Sequence, residues 1–178
     1  MTSIVPLICN GVVLISFALV GVLSGCGGME SSMQDSSITN ADEARVAKMA
    51  ADWRWKHRLL VVAVESPGTA LDLQWSLVAE VEAEWLDRAL LLVMLANSEG
   101  WVVRDPSAAR SVSHHLTAGE TAAFRDRYKL SREKFEAVLV GKDGGVKSRY
   151  SQVVDPATIF PFIDSMPMRM DEIKAASE

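Results

Sequence analysis

Two continuous apolar runs constrain the fold of this chain more than any other feature. They extend from Leu59 to Val64 and from Ala89 to Ala96, and both are rich in Val and Leu. Uninterrupted apolar runs of this length are typical of strands that are covered on both faces, as in a parallel sheet. We therefore expect two central strands at these positions.

The segment between the two runs predicts a crossover helix. Its large apolar side chains recur at helical spacing, and most of its acidic residues fall elsewhere. The apolar positions are Leu71, Trp75, Val78 and Trp85. Thr69 is a candidate N-cap for this helix. A strand, a helix and a second buried strand predict a right-handed βαβ unit.

The second half of the chain predicts two more helices and a β-hairpin. Thr117 and Glu120 have the spacing of a capping box, which opens a helix to about Lys129. The last helix begins at Asp155-Pro156, where Asp serves as the N-cap and Pro occupies the first turn.

The hairpin joins a buried strand at Phe135–Val140 to a strand at Val146–Tyr150 through the turn Lys142-Asp143-Gly144-Gly145. The second strand alternates apolar and basic residues, so we expect it near an edge of the sheet. Together these elements predict an α/β fold, a single domain with a mixed four-stranded sheet in the order β-α-β-α-β-β-α.

Three stretches of the chain resemble a known family. They are Trp53-Arg-Trp-Lys-His-Arg58-Leu-Leu, Val138-Leu-Val-Gly-Lys-Asp-Gly-Gly-Val-Lys147 and Phe162-Ile-Asp-Ser-Met-Pro-Met-Arg169. The family is catalogued as domain of unknown function 4174, and the resemblance extends from Asp52 to Glu172. It implies a thioredoxin- or peroxiredoxin-like fold, and it implies similarity to a domain of some secreted animal proteins. The family has no assigned biochemical role.

The N-terminus predicts export and lipid anchoring. Leu23-Ser24-Gly25-Cys26 closes an uncharged apolar run and resembles the lipobox of bacterial lipoproteins. We therefore expect a signal peptide at 1–25, a lipidated Cys26 with a flexible tether at 26–42, and the folded domain at 43–178. Gly27 favours the outer membrane. An uncleaved membrane anchor is the alternative, and in both cases the domain lies outside the cytoplasm.

The charge of the chain argues against nucleic acid as a partner. The net charge is −5, and the longest basic cluster is the alternation of Arg54, Lys56 and Arg58. A protein that binds the phosphate backbone needs a larger basic surface. The expected partners are the membrane, through the lipid, and a protein of the cell envelope.

The sequence argues against thiol redox chemistry. In thioredoxins the reactive Cys-x-x-Cys follows the first strand, whereas this chain has Ser66-Pro67-Gly68-Thr69 there. Hydroxyl groups cannot replace the thiolate and the mixed disulfide of that reaction. Cys9 and Cys26 are the only two cysteines. We expect no cofactor and no metal site, since His114 and His115 would point to opposite faces of a strand.

Four residues remain candidates for ligand binding. Ser66 and Thr69 could add hydroxyl donors to an anion site at the start of the crossover helix, or they could serve only as caps. Arg58 could face this site, or it could simply be solvated. Trp55, together with Trp53, could form an aromatic ridge in an extended segment, or it could cover one end of the core.

Two functional hypotheses follow from these observations. The first is a lipid-anchored, non-catalytic binding module without redox cysteines. The alternative is an oxidoreductase related to thioredoxins or peroxiredoxins, or another enzyme that does not use cysteine. No catalytic residue is assigned under either hypothesis, because the sequence shows no nucleophile with a base and an orienting group.

Overall fold

The structure, a computed structural model, describes residues 38–104 and 112–178. Its helices are α1 (Asn40–Trp53), α2 (Thr69–Ala79), α3 (Glu82–Asp87), α4 (Ala118–Tyr128), α5 (Pro156–Asp164) and α6 (Pro167–Ala176). Its strands are β1 (Arg58–Ala63), β2 (Leu90–Leu95), β3 (Gly100–Val103), β4 (Val112–Leu116), β5 (Glu136–Val140) and β6 (Val146–Tyr150). The predicted leader, the lipidation site Cys26 and most of the predicted tether lie outside the described residues.

The strands form one mixed sheet in the order β4-β3-β2-β1-β5-β6. β1 and β2 are parallel, and every other neighbouring pair is antiparallel. This confirms the α/β class, the central parallel pair and the hairpin of β5 and β6. The prediction of four strands was wrong, because β3 and β4 extend the sheet beyond β2. β3 has only four residues and begins with Gly100, so it lacks the long apolar pattern that marks β1 and β2.

Helices cover both faces of the sheet and form two separate cores. Alternate residues of β1 supply both: Leu60 and Val62 pack with α2, α3 and α5, whereas Leu59 and Val61 pack with α1 and α4. All residues of β1 and β2 are buried. The continuous apolar runs in the sequence therefore reflect a strand pair enclosed between two helical layers.

The crossover between β1 and β2 contains two helices where the sequence predicted one. α2 ends at Ala79 and α3 begins at Glu82, after Val81 leaves the helical region with a φ of −123° and a ψ of 35°. The break turns Trp85 into the core, where it is fully buried. The assignment of Thr69 as the N-cap was also wrong, because Gly68 is the N-cap and makes no side-chain hydrogen bond.

The other local signals were confirmed. Thr117 and Glu120 form the predicted capping box at the start of α4. Asp155 accepts a hydrogen bond of 2.8 Å from the Ala157 amide at the start of α5. The hairpin turn places Gly144 at a φ of +82°, which glycine adopts without steric cost.

Two helices were not predicted from the sequence. α1 begins with a capping box between Thr39 and Asp42, and it packs against α4. α6 follows α5 directly and is held by ion pairs. Its Arg169 contacts Asp87 and Asp164, and its Glu172 contacts Arg58 and Lys142.

Candidate functional site

A cleft of about 290 Å³ lies beside the start of α2, at the end of the sheet where β1 and β2 finish. Its lining residues come from the loop before α2, from α2 itself and from strands β2 and β3. They are Pro67, Gly68, Leu71, Asp72, Trp75, Ser76, Met94 and Trp101. Ligands of α/β proteins bind preferentially at this position, outside the carboxyl ends of the central strands.

The walls of the cleft are apolar. Trp75 of α2 and Trp101 of β3 are both half-buried and pack against the core on this side of the sheet. Leu71 and Met94 are buried beside them. The edge of the Trp101 ring system also faces His115 of β4, with ring centroids 6.5 Å apart. Two indole rings around one opening provide a rigid surface for an apolar group.

The polar groups of the cleft do not form an anion site. Asp72 lies in the first turn of α2, where its carboxylate opposes the binding of a second negative charge. The Ser76 hydroxyl donates to the Asp72 backbone carbonyl at 2.9 Å. Ser66 and Thr69 are exposed beside the cleft, and their side chains are not among its lining residues. The chemistry of this site is therefore apolar.

The structure places Arg58 away from the cleft. Arg58 is the first residue of β1, whereas the loop at Ser66 follows the end of that strand. Its guanidinium is buried and bonded to Glu172 and to the Arg88 carbonyl. The prediction that Arg58 could face a site at the start of α2 was therefore wrong. Arg58 and the Ser66 loop lie at opposite ends of β1, separated by the length of the strand.

The structure also separates Trp53 from Trp55. Trp53 is the last residue of α1 and stacks on Phe124, with ring centroids 6.0 Å apart. Trp55 has a φ of +66° and is 60% exposed, and the Arg54 guanidinium carbon lies 5.2 Å from its ring centroid. The predicted extended ridge was therefore wrong, since the helix continues through Trp53 and the chain then turns.

His114 and His115 lie on opposite faces of β4, as the sequence predicted. His114 approaches Glu120 of α4 at 4.0 Å, whereas His115 faces Trp101. Among the described residues, no three His, Cys, Asp or Glu side chains are grouped in a way that could hold a metal ion. The sequence after Cys26 contains no cysteine.

Sequence reasoning missed the residues that line the cleft. Trp75 was assigned to the core face of a helix, and Trp101 lies in a strand that was not predicted. The signal that could have found Trp101 is the short run Gly-Trp-Val-Val directly after the loop that follows β2. Met94 and Leu71 belong to predicted elements. The cleft that they both line forms only when α2 packs against the sheet.

Residues 49–172 match the family described as "Domain of unknown function (DUF4174)". The chain belongs to this family. The family domain includes both central strands, the β5–β6 hairpin and the cleft. This confirms the predicted membership, including the predicted extent to Glu172.

One curated relative is "Coiled-coil domain-containing protein 80" of Danio rerio. It is 31% identical over 125 residues, which cover 68% of this chain and 13% of the relative. The chain therefore spans only a small part of that protein's length. No solved structure was found to match.

Among residues 38–104 and 112–178, no helix combines the length and the apolar character that a membrane crossing requires.

Proposed function

We propose that this chain is a lipid-anchored protein of the cell envelope whose thioredoxin-like domain binds a partner protein without catalysing thiol exchange. The apolar cleft between α2 and β3 is the observation that carries the binding part of this proposal. Its position beside the Ser66–Thr69 loop coincides with the place where the reactive cysteines of thioredoxins would lie.

The thioredoxin-like fold is supported by the centre of the sheet. Strands β2, β1, β5 and β6 are consecutive neighbours there. The parallel pair β1 and β2 belongs to a βαβ half, and the hairpin of β5 and β6 followed by α5 forms a ββα half. The antiparallel pairing of β1 with β5 joins the two halves. In this proposal β3 and β4 are an addition at the β2 edge.

The cleft fits an apolar side chain of a partner protein. A volume of about 290 Å³ is just below the range for small-molecule pockets, about 300 to 1,000 Å³. Aromatic side chains that enclose one inserted group are typical of interface hot spots. Trp75 and Trp101 both line the cleft, where such a group would enter.

The enzyme alternative finds less support in the structure. A nucleophile needs a base within hydrogen-bond reach, and the chain supplies no thiol after Cys26. The His114–Glu120 pair lies on the α4 side of the sheet, whereas the cleft lies on the α2 side. These groups therefore do not converge on one substrate position.

Photo-cross-linking in intact cells tests the binding role. A photoreactive phenylalanine analogue at Ser76, on the rim of the cleft, should give one recurrent protein adduct. The same analogue at Leu73 is the matched control, because Leu73 is exposed on α2 but does not line the cleft. Trp101→Ala should reduce the Ser76 adduct, and Trp55→Ala should leave it unchanged. Equal adducts at both positions, or none at Ser76, would contradict the proposal.

Mass spectrometry of the N-terminal peptide tests the anchoring part separately. We expect the mature chain to begin at Cys26 with a diacylglycerol thioether, and Cys26→Ser should retain residues 1–25. An unmodified Cys26 in a peptide that still contains the leader would contradict lipidation without affecting the cleft result.

A further inference from the structure

A second pocket lies at the end of the sheet opposite to the cleft. It has a volume of about 410 Å³ and opens between the C-terminal ends of α1 and α4 and the turn between β5 and β6. Leu59 at the start of β1 and Val140 at the end of β5 form part of its floor. The pocket is therefore independent of the cleft and of the function proposed for it.

Two guanidinium groups line this pocket without a carboxylate partner in the described part of the chain. They belong to Arg54, which follows α1, and to Arg127, in the last turn of α4. Arg54 lies over the Trp55 ring, and Arg127 lies 5.9 Å from the ring centroid of Tyr128. Contact with the aromatic rings positions both groups. Arg127 also donates a hydrogen bond to the Tyr128 hydroxyl. Because a guanidinium carries five N–H donors, each group retains donors for a ligand.

The acid that lines the pocket is already neutralised. Asp143 accepts a hydrogen bond of 2.6 Å from Lys147 and one of 3.1 Å from the Gly145 amide. These bonds, led by that from Lys147, hold the pKa of Asp143 below its usual value. Asp143 therefore stays bonded to Lys147 and does not compensate the charges of Arg54 and Arg127.

His57 is a further polar group at this end of the sheet. It lines the pocket, and its Nδ1 is buried without a hydrogen-bond partner. Burial lowers the pKa of His57, and the positive charges of Arg104, Lys142 and Lys56 lower it further, against a hydrogen bond with Ala89 that raises it. Several cations therefore lie near this region, and one of them, Lys142, is paired with Glu172.

We propose that this pocket binds a phosphate group, held by Arg54 and Arg127. The planar guanidinium matches phosphate through paired, charge-assisted hydrogen bonds. The phosphate belongs either to a soluble phosphate ester or to a lipid headgroup, and both offer the same oxygens to the two arginines.

Calorimetric titration of the detergent-solubilised full chain with pyrophosphate tests the soluble source. The double variant Arg54→Ala/Arg127→Ala should bind at least about tenfold more weakly than the wild type. Arg132→Ala/Lys134→Ala is the matched control, because it removes the same charge from exposed positions near the other end of the sheet. It should bind within about twofold of the wild type, since long-range screening makes distant surface charges weak.

Calorimetric titration of the same detergent-solubilised chain with a short-chain phosphatidylglycerol tests the lipid source, with short-chain phosphatidylcholine as the comparison. Both double variants, Arg54→Ala/Arg127→Ala and Arg132→Ala/Lys134→Ala, are measured. Binding of phosphatidylglycerol that depends on Arg54 and Arg127, with no binding of pyrophosphate, assigns the site to a headgroup. Arginine-dependent binding of pyrophosphate supports the soluble source.

Equal loss of binding in both double variants would overturn the site, because it would show only a general charge effect. No binding in either assay would overturn it as well. The single variants Arg54→Gln and Arg127→Gln, with urea unfolding midpoints equal to that of the wild type, separate lost binding from lost folding.

Discussion

Arg58 and Glu172 form a paired contact in which two guanidinium N–H groups donate to the two carboxylate oxygens, at 3.1 and 3.2 Å. Arg58 is 1% exposed and also donates to the Arg88 carbonyl at 2.9 Å. Lys142 donates to the same carboxylate at 2.8 Å. The pair therefore fixes α6 to the first residue of the central strand across 114 positions of sequence.

Glu172→Gln should destabilise the fold by about 2 kcal/mol, because it leaves the buried charge of Arg58 without its carboxylate. The partial exposure of Glu172 keeps the loss below that of a fully buried pair. Urea unfolding of the full chain measures it. Glu133→Gln, at an exposed position, is the control and should have the wild-type midpoint. Equal midpoints for both variants would show that the pair contributes nothing.

Stability should decrease in acid through Glu172 and Asp164. Burial raises the pKa of Glu172, but hydrogen bonds from Arg58 and Lys142 outweigh it and hold the pKa below its usual value. Asp164 behaves in the same way beside Arg88 and Arg169. A lowered pKa in the folded state stabilises the fold above the unfolded pKa, about 4, and this contribution is lost as the pH falls through the folded pKa.

Urea midpoints between pH 7 and pH 2 measure this dependence. We expect a decrease that begins near pH 4 and becomes shallower in Glu172→Gln, because that variant has no carboxyl to titrate at this position. Parallel curves for the variant and the wild type would show that Glu172 does not contribute to acid unfolding.

The effect of Gly119→Ala on stability should depend on the residue at position 42. A Cβ at Gly119 would overlap the Asp42 carboxylate, which caps α1 through Thr39. In the wild type the displaced cap, about 1 kcal/mol, offsets the higher helix propensity of Ala. In Asp42→Ala the overlap is gone, so Gly119→Ala should stabilise by up to about 1 kcal/mol.

A double-mutant cycle from thermal unfolding measures the coupling between positions 42 and 119. We expect a coupling of about 1 kcal/mol. Additive effects of the two substitutions would mean that α1 and α4 do not meet through this contact.

Arg125→Met should destabilise the fold by at least about 2 kcal/mol. Arg125 is buried and donates to the backbone carbonyls of Val64, Leu95 and Ser131, near the ends of β1 and β2. Met preserves much of the volume but none of the donors. Arg125→Lys should recover little, since an ammonium cannot reproduce the planar set of donors. Urea unfolding measures both variants, with Arg132→Met as the exposed control, and wild-type stability of Arg125→Lys would contradict this role.

The sequence determined those parts of the structure that depend on short-range patterns. Continuous apolar runs predicted β1 and β2, since a strand enclosed on both faces has no polar side. The caps at Thr117 and Asp155 and the turn at Gly144 were predictable because each is formed by hydrogen bonds or dihedral angles within a few residues.

Other elements lacked such a signal. The break between α2 and α3 lies inside a helical apolar pattern, and the burial of Trp85 against the sheet accompanies it. β3 is stabilised by pairing with β2 and β4. A sequence of four residues is too short to predict these pairings. The alternation of aromatic and basic residues from Trp53 to Arg58 suggested an extended segment. In the structure α1 instead continues to Trp53.

The sequence by itself determined the α/β class, the parallel central pair, the hairpin, the family and the absence of cysteine after Cys26. Only the tertiary structure decided that Arg58 pairs with Glu172, that Trp75 and Trp101 share a cleft, and that Arg54 and Arg127 line one pocket. The physical reason is distance along the chain. Local patterns encode contacts within a few residues, whereas these pairs depend on how helices and strands pack after they have formed.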